Sequence, residues 1–143
     1  MVTVNEPAVE YPLHKCLGFD APIDAIILGA RSGIGEAFLN DLSTLSQVRS
    51  VYGTSRAAHW QRLEGQHSKI RRQQLDIVDE GSLEAFAARL KTDGVKPNLL
   101  INCTGILHEN TLQPERSWRQ LDLKEMQQVF AVNTFGVGLV IKH

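Results

Sequence analysis

Gly29-Ala30-Arg31-Ser32-Gly33-Ile34-Gly35 joins the apolar run Ile23-Asp24-Ala25-Ile26-Ile27-Leu28 to Glu36-Ala37-Phe38-Leu39. The apolar run has the length and composition of a buried strand. Behind the glycines, Ile34, Phe38 and Leu42 recur at helical spacing, with Ala37 and Leu45 widening the face. A strand that passes through glycines at 29, 33 and 35 directly into a helix is the context in which a pyrophosphate rests on a helix N-terminus. Glycine admits positive φ there and lets a ligand approach the backbone N–H groups closely. The competing reading is a glycine-rich turn with no ligand.

Beyond this unit, apolar runs alternate with helical patterns. Val48 to Thr54 reads as a second strand, followed by a weaker helix around Trp60 and Leu63. Ile70 to Leu75 reads as a third strand, and its Arg71, Arg72, Gln73 and Gln74 suit a sheet edge. Asp79 is placed to cap a helix carrying Leu83, Phe86, Ala87 and Leu90 on one face. Leu99-Leu100-Ile101 is a fourth strand, and the polar stretch His108 to Gln120 reads as a functional loop. Asp122 and Glu125 form a capping box for the last helix, with Leu121 and Met126 placed as a hydrophobic staple. Short strand-helix alternation predicts an α/β fold with a parallel sheet.

A chain of 143 residues suits one domain, expected over residues 21–143, after an extended arm at 1–20 rich in proline. The net charge of -1 removes the electrostatic argument for nucleic acid or an anionic membrane as partner. Val129 to Ile141 is too short for a bilayer, which takes about 20 apolar residues. Cys16 and Cys103 have no ligand spacing, and the histidines form no ligand set, so no metal site is expected. Reduced thiols and the absence of a secretory pattern point to a cytoplasmic setting. A small molecule is the expected ligand.

The glycine spacing G-x-x-x-G-x-G, with its flanking elements, resembles the short-chain dehydrogenase/reductase family, with Leu28 where the family usually has Thr. Further segments support the likeness at the intervals it requires. Asn102-Cys103-Thr104-Gly105 stands where the family carries Asn-Asn-Ala-Gly, matching at Asn102 and Gly105 and departing at Cys103 and Thr104. Asp76-Ile77 follows the third strand, where the family holds adenine. Asn133, in Val132-Asn133-Thr134, matches the helix Asn of the family's Asn-Ser-Tyr-Lys catalytic set. Gly105-Ile106-Leu107-His108 and the helix after it look most like C-factor-like members.

The resemblance implies a Rossmann-like, doubly wound parallel sheet of about four strands in the order 3-2-1-4. Its cofactor site would comprise Gly29, Arg31, Ser32, Gly33, Ile34, Gly35, Ser55, Arg56, Asp76, Ile77, Asn102 and Gly105, with Asn133 in the catalytic set. Ser55 falls at the position of the family's acidic selector and Arg56 next to it. A carboxylate there would bind the ribose 2′-hydroxyl of NAD, whereas guanidinium groups at Arg56 and Arg31 suit the 2′-phosphate of NADP. NADP is therefore expected over NAD. Each residue also has a plain alternative: Arg56 snorkelling at the surface, Asp76 a solvated strand end, Asn102 completing a turn. Asn133 shares the stripe of Met126, Phe130 and Val137, so it is expected to point toward the core.

The family's reaction is hydride transfer between NADPH and a carbonyl or alcohol, with a Tyr and a Lys four residues later that lie beyond the Asn helix. This chain stops at Ile141-Lys142-His143. It is therefore expected to be the NADP-binding portion of such an oxidoreductase, truncated and inactive alone. The Tyr11-x-x-x-Lys15 spacing contains Pro12 and precedes the glycines, so it carries no helical pair. An uncovered fourth strand, with Phe130, Val137 and Val140 facing absent elements, predicts self-association. The alternatives are a non-catalytic nucleotide-binding or interaction protein, and another doubly wound domain such as a methyltransferase.

Overall fold

The computed structural model describes residues 22–57, 68–107 and 115–143. The extended arm, the helix expected around Trp60 and Leu63, most of the polar loop from His108, and the Tyr11/Lys15 pair lie outside these residues. Four strands, β1 (Ile23–Leu28), β2 (Val48–Ser55), β3 (Ile70–Gln74) and β4 (Leu99–Asn102), form a parallel sheet in the order β3-β2-β1-β4. This is the Rossmann-like α/β arrangement expected from the sequence.

β1 is central and buried along its whole length. Successive side chains of a strand point to opposite faces, so a continuous apolar run feeds two cores at once. Ile23, Ala25 and Ile27 pack with Leu39, Leu42, Val48 and Val51 under helix α1 (Gly33–Thr44). Ile26 and Leu28 pack on the other face with Tyr52, Ile77, Leu83, Phe86 and Leu90, under helix α2 (Glu80–Thr92). Tyr52 meets Phe86 edge-on with ring centroids 6.3 Å apart. Its hydroxyl donates to Asp93 at 2.9 Å, and burial, with Asp93 beside it, pushes the phenol pKa up.

The apolar face of α1 is rotated from the one expected. Ile34 is 73% exposed and Ala37 is exposed, while Gly35, Leu39 and Leu42 face the sheet. The cause is the entry of the helix: a Cβ on Gly35 would lie 2.3 Å from Gly29 O, so only glycine lets the first turn sit on the loop. Both expected aspartate caps are present. Asp79 accepts from Gly81 N at 2.9 Å, and Asp122 Oδ1 accepts from Lys124 N and Glu125 N at 2.9 and 3.0 Å.

The last helical segment has three parts: α3 (Leu123–Phe130), a π-helical turn (Ala131–Phe135) and α4 (Gly136–Lys142). Its packing differs from the expectation for Val140, which joins Val132 and Leu139 against the core beneath α2 rather than facing outward. Phe130 is 50% exposed, as is much of the apolar side of α3. The end of α4 is tied to the start of α2, where Lys142 and His143 Nε2 (3.1 Å) both reach Glu80 Oε2. The Lys142 contact, with His143 second, holds the Glu80 carboxyl below its ordinary pKa.

A buried carboxylate lies at the other end of the sheet. Asp24, in β1, is 1% exposed and accepts from Arg49 Nε at 3.0 Å and Ser50 Oγ at 2.7 Å, with Arg49 Nη2 on its second oxygen. The Arg49 contact outweighs burial and lowers the Asp24 pKa. Asn98 completes the arrangement by accepting from Asp24 N and donating to Pro22 O.

Candidate functional site

A groove of about 560 Å³ opens over the carboxyl ends of the strands. Its floor is set where the strand order reverses, between β1 and β4, the position at which open α/β sheets receive ligands. Gly29 leaves β1 with φ 73, and a Cβ there would lie 2.8 Å from Cys103 O. The loop after β1 and the loop after β4 are thus in backbone contact, and glycine is required on both steric and conformational grounds.

From the loop after β1, Gly29, Arg31 and Ser32 line the groove; from the end of β2, Thr54, Ser55, Arg56 and Ala57. Leu75, Asp76 and Ile77 enter after β3, and Cys103, Thr104, Gly105 and Ile106 after β4. Val132, in the π turn, completes the described lining. Among the described residues, the lining includes the guanidiniums of Arg31 and Arg56 and the carboxyl group of Asp76. Burial raises the Cys103 thiol pKa.

Local hydrogen bonds hold this lining in place. Ser55 Oγ accepts from Ala57 N at 3.2 Å, and Gln74 Nε2 donates to Arg56 O at 3.1 Å. Asp76 Oδ1 accepts from Val78 N at 3.1 Å, while Asp76 N donates to Ser82 Oγ. The carboxylate therefore forms an Asx turn as well as lining the groove.

Of the residues expected in a cofactor site, Gly29, Arg31, Ser32, Ser55, Arg56, Asp76, Ile77 and Gly105 line the groove. Gly33, Ile34, Gly35 and Asn102 do not. Gly33, at φ 59 with open space around its missing Cβ, shapes the turn, and Gly35 seats the helix. Asn102 completes a turn: its Oδ1 accepts from Thr104 N at 3.0 Å and Thr104 Oγ1 at 2.6 Å. Ser32 starts α1 without a side-chain cap bond. The first-turn N–H groups, which find no acceptor within a helix, remain the natural partners of an anion.

Asn133 departs from its expected orientation. It is exposed rather than core-facing, as are Met126 and Phe130 of the same stripe, and it lies within the π turn. Its Oδ1 accepts from Ile106 N and its Nδ2 donates to Ile106 O, both at 2.8 Å. Thr54, Ala57, Leu75, Cys103, Thr104, Ile106 and Val132 were not anticipated as lining. Most adjoin an anticipated residue in sequence, the signal that could have found them.

The model of the short chain dehydrogenase family matches residues 24–143. The chain belongs to that family. Among solved structures, the short-chain dehydrogenase domain superposes on the NADPH-bound carbonyl reductase from chicken fatty liver with a TM-score of 0.71 and 28% identity. That match covers 86% of this chain and 47% of the reductase. A short chain dehydrogenase from Leptospira borgpetersenii with bound NAD+ shares the fold, with a TM-score of 0.68, 20% identity, and coverage of 85% and 44%. The short-chain dehydrogenase domain thus spans about half the length of these relatives. No curated protein gives a significant match. Among the described residues no helix is long and apolar enough to cross a membrane, and no cluster of side chains could hold a metal ion.

Proposed function

We propose that the groove binds NADP(H), and that the domain serves hydride transfer between NADPH and a carbonyl or alcohol. The observation that carries this reading is the end of β2. Ser55 stands where a 2′-hydroxyl-binding carboxylate would select NAD, and Arg56 and Arg31 both line the groove beside it. A guanidinium gives a phosphate charge-assisted, fork-shaped hydrogen bonds. The first turn of α1 suits the pyrophosphate, Asp76 and Ile77 the adenine, and Thr104, Gly105 and Ile106 the nicotinamide half.

When bound, the dinucleotide supplies the hydride at nicotinamide C4. The residues of this chain bind and orient it, and Asn133 acts at one remove by holding the Ile106 peptide. The described lining includes no Tyr, Lys or His to exchange a proton with a substrate oxygen. Binding and orienting the dinucleotide is therefore the role proposed for the described residues, with a carbonyl or alcohol as the substrate of the hydride transfer. Titration with NADPH, NADH and S-adenosylmethionine tests the reading. Preferred binding of NADPH supports it; equal affinity for NADPH and NADH removes the 2′-phosphate argument, and preference for S-adenosylmethionine overturns the dinucleotide assignment.

A further inference from the structure

Gly136 is buried at the junction of the π turn and α4. A Cβ there would lie 2.8 Å from Ile77 Cδ1, 2.9 Å from Ile77 Cγ1 and 3.2 Å from Ala131 O. Gly136 N also donates to Ala131 O, closing the π turn. One residue without a side chain thus closes the turn and admits Ile77 against it. Residues on both sides of this contact line the groove. Ile77 lines it directly; on the other side, Val132 lines it from the π turn, and Asn133 in the same turn clamps the Ile106 peptide.

We propose that the Gly136–Ile77 contact is a spacer that sets how Ile77 and the π turn sit in the groove lining, making Gly136 a positioning residue for the dinucleotide although it does not line the site. The consequence for binding rests on the NADP(H) reading above; the spacer itself does not. An added methyl at Gly136 must displace Ile77 or shift the π turn, because packed interiors have no slack at these distances. Shifting the turn moves Asn133 and loosens its clamp on Ile106. Displacing Ile77 alters the wall assigned to adenine. Either movement alters the groove lining, although no ligand-contacting atom is removed.

The test uses Gly136→Ala, Ile77→Ala, the double variant, and Gly138→Ala as control, since a Cβ on Gly138 would meet open space. Hydrogen exchange of the Ile106 amide in the unliganded chain reads the spacer without reference to a cofactor. NADPH affinity reads its effect on binding. Gly136→Ala is expected to speed Ile106 exchange and weaken NADPH binding, each on the order of tenfold, with the double variant better than the product of the single losses. Gly138→Ala is expected to change neither by more than about twofold. Losses that simply multiply, or a Gly136→Ala that behaves like Gly138→Ala, overturn the spacer. If Gly136→Ala does not fold, restoration of a folded chain by Ile77→Ala supports the spacer and no restoration overturns it. Wild type that fails to bind NADPH while Ile106 exchange responds as expected sinks the cofactor reading and leaves the spacer standing.

Discussion

Asn133 satisfies both polar groups of the Ile106 residue: its Oδ1 accepts from the Ile106 N–H and its Nδ2 donates to the Ile106 carbonyl. A side-chain amide offers a donor and an acceptor side by side in this geometry without carrying charge or depending on pH. Asn133→Leu is therefore expected to destabilise the chain by about 1 kcal/mol and to free the loop after β4. Asn133→Asp is expected to be no better, since a carboxylate accepts from the N–H but meets the carbonyl with a like partial charge. Denaturant unfolding checks the stability, and hydrogen exchange at Ile106 checks the loop. Wild-type protection in both variants would show that the clamp is dispensable.

Arg56→Ala is expected to weaken NADPH binding by about 1.5–3 kcal/mol, or roughly tenfold to a hundredfold, with NADH little affected. Arg31 lines the same groove and can take part of the load, so Arg31→Ala with Arg56→Ala should exceed either alone. Calorimetric titration of the variants with both nucleotides decides it. A parallel loss for NADPH and NADH would assign Arg56 to some other part of the ligand.

Asp24 makes stability sensitive to acid. Its folded pKa is lowered, chiefly by the Arg49 hydrogen bond, so the unfolded chain takes up the proton first as pH falls. The contribution is fully present above about pH 4 and is lost as pH drops through the folded value. Arg49→Gln leaves a buried acceptor short of its partner and is expected to cost about 1–3 kcal/mol near neutral pH. That deficit should shrink in strong acid, where Asp24 is neutral. Urea unfolding at pH 7 and pH 3 measures it, and a deficit independent of pH would detach it from the Asp24 charge.

The chain is expected to self-associate through α3. Leu123 and Phe130 are 70% and 50% exposed, and Met126 lies with them on the helix. Covering such side chains is favourable by about 1.5–3 kcal/mol each when burial is complete. Phe130→Glu should shift sedimentation toward monomer without unfolding the protein, because its side chain stands outside both cores. Monomeric wild type at tens of micromolar, a concentration at which an association near -8 kcal/mol is seen, would end this expectation.

The alternation of strands and helices was legible in the sequence because it is written in local pattern. The apolar run of β1, the edge-like polarity of β3, and the Asp79 and Asp122 caps each depend on residues within a turn or two of one another. The glycine loop was legible for the same reason, as a strand, a tight turn and a helix in immediate succession. What only the tertiary structure decided are the contacts between segments far apart in the chain. Periodicity assigned Ile34 to the buried face, but the backbone contact of Gly35 with Gly29 set the helix angle and left Ile34 in solvent. It aimed Asn133 at the core, but the side chain is exposed and pairs with Ile106 from a distant segment. Asp24, a charged residue within the apolar run of β1, is accommodated by Arg49 and Ser50 from the neighbouring strand. Gly136 carried no signal at all, since what it makes room for is Ile77, and only the packed fold brings those two residues together.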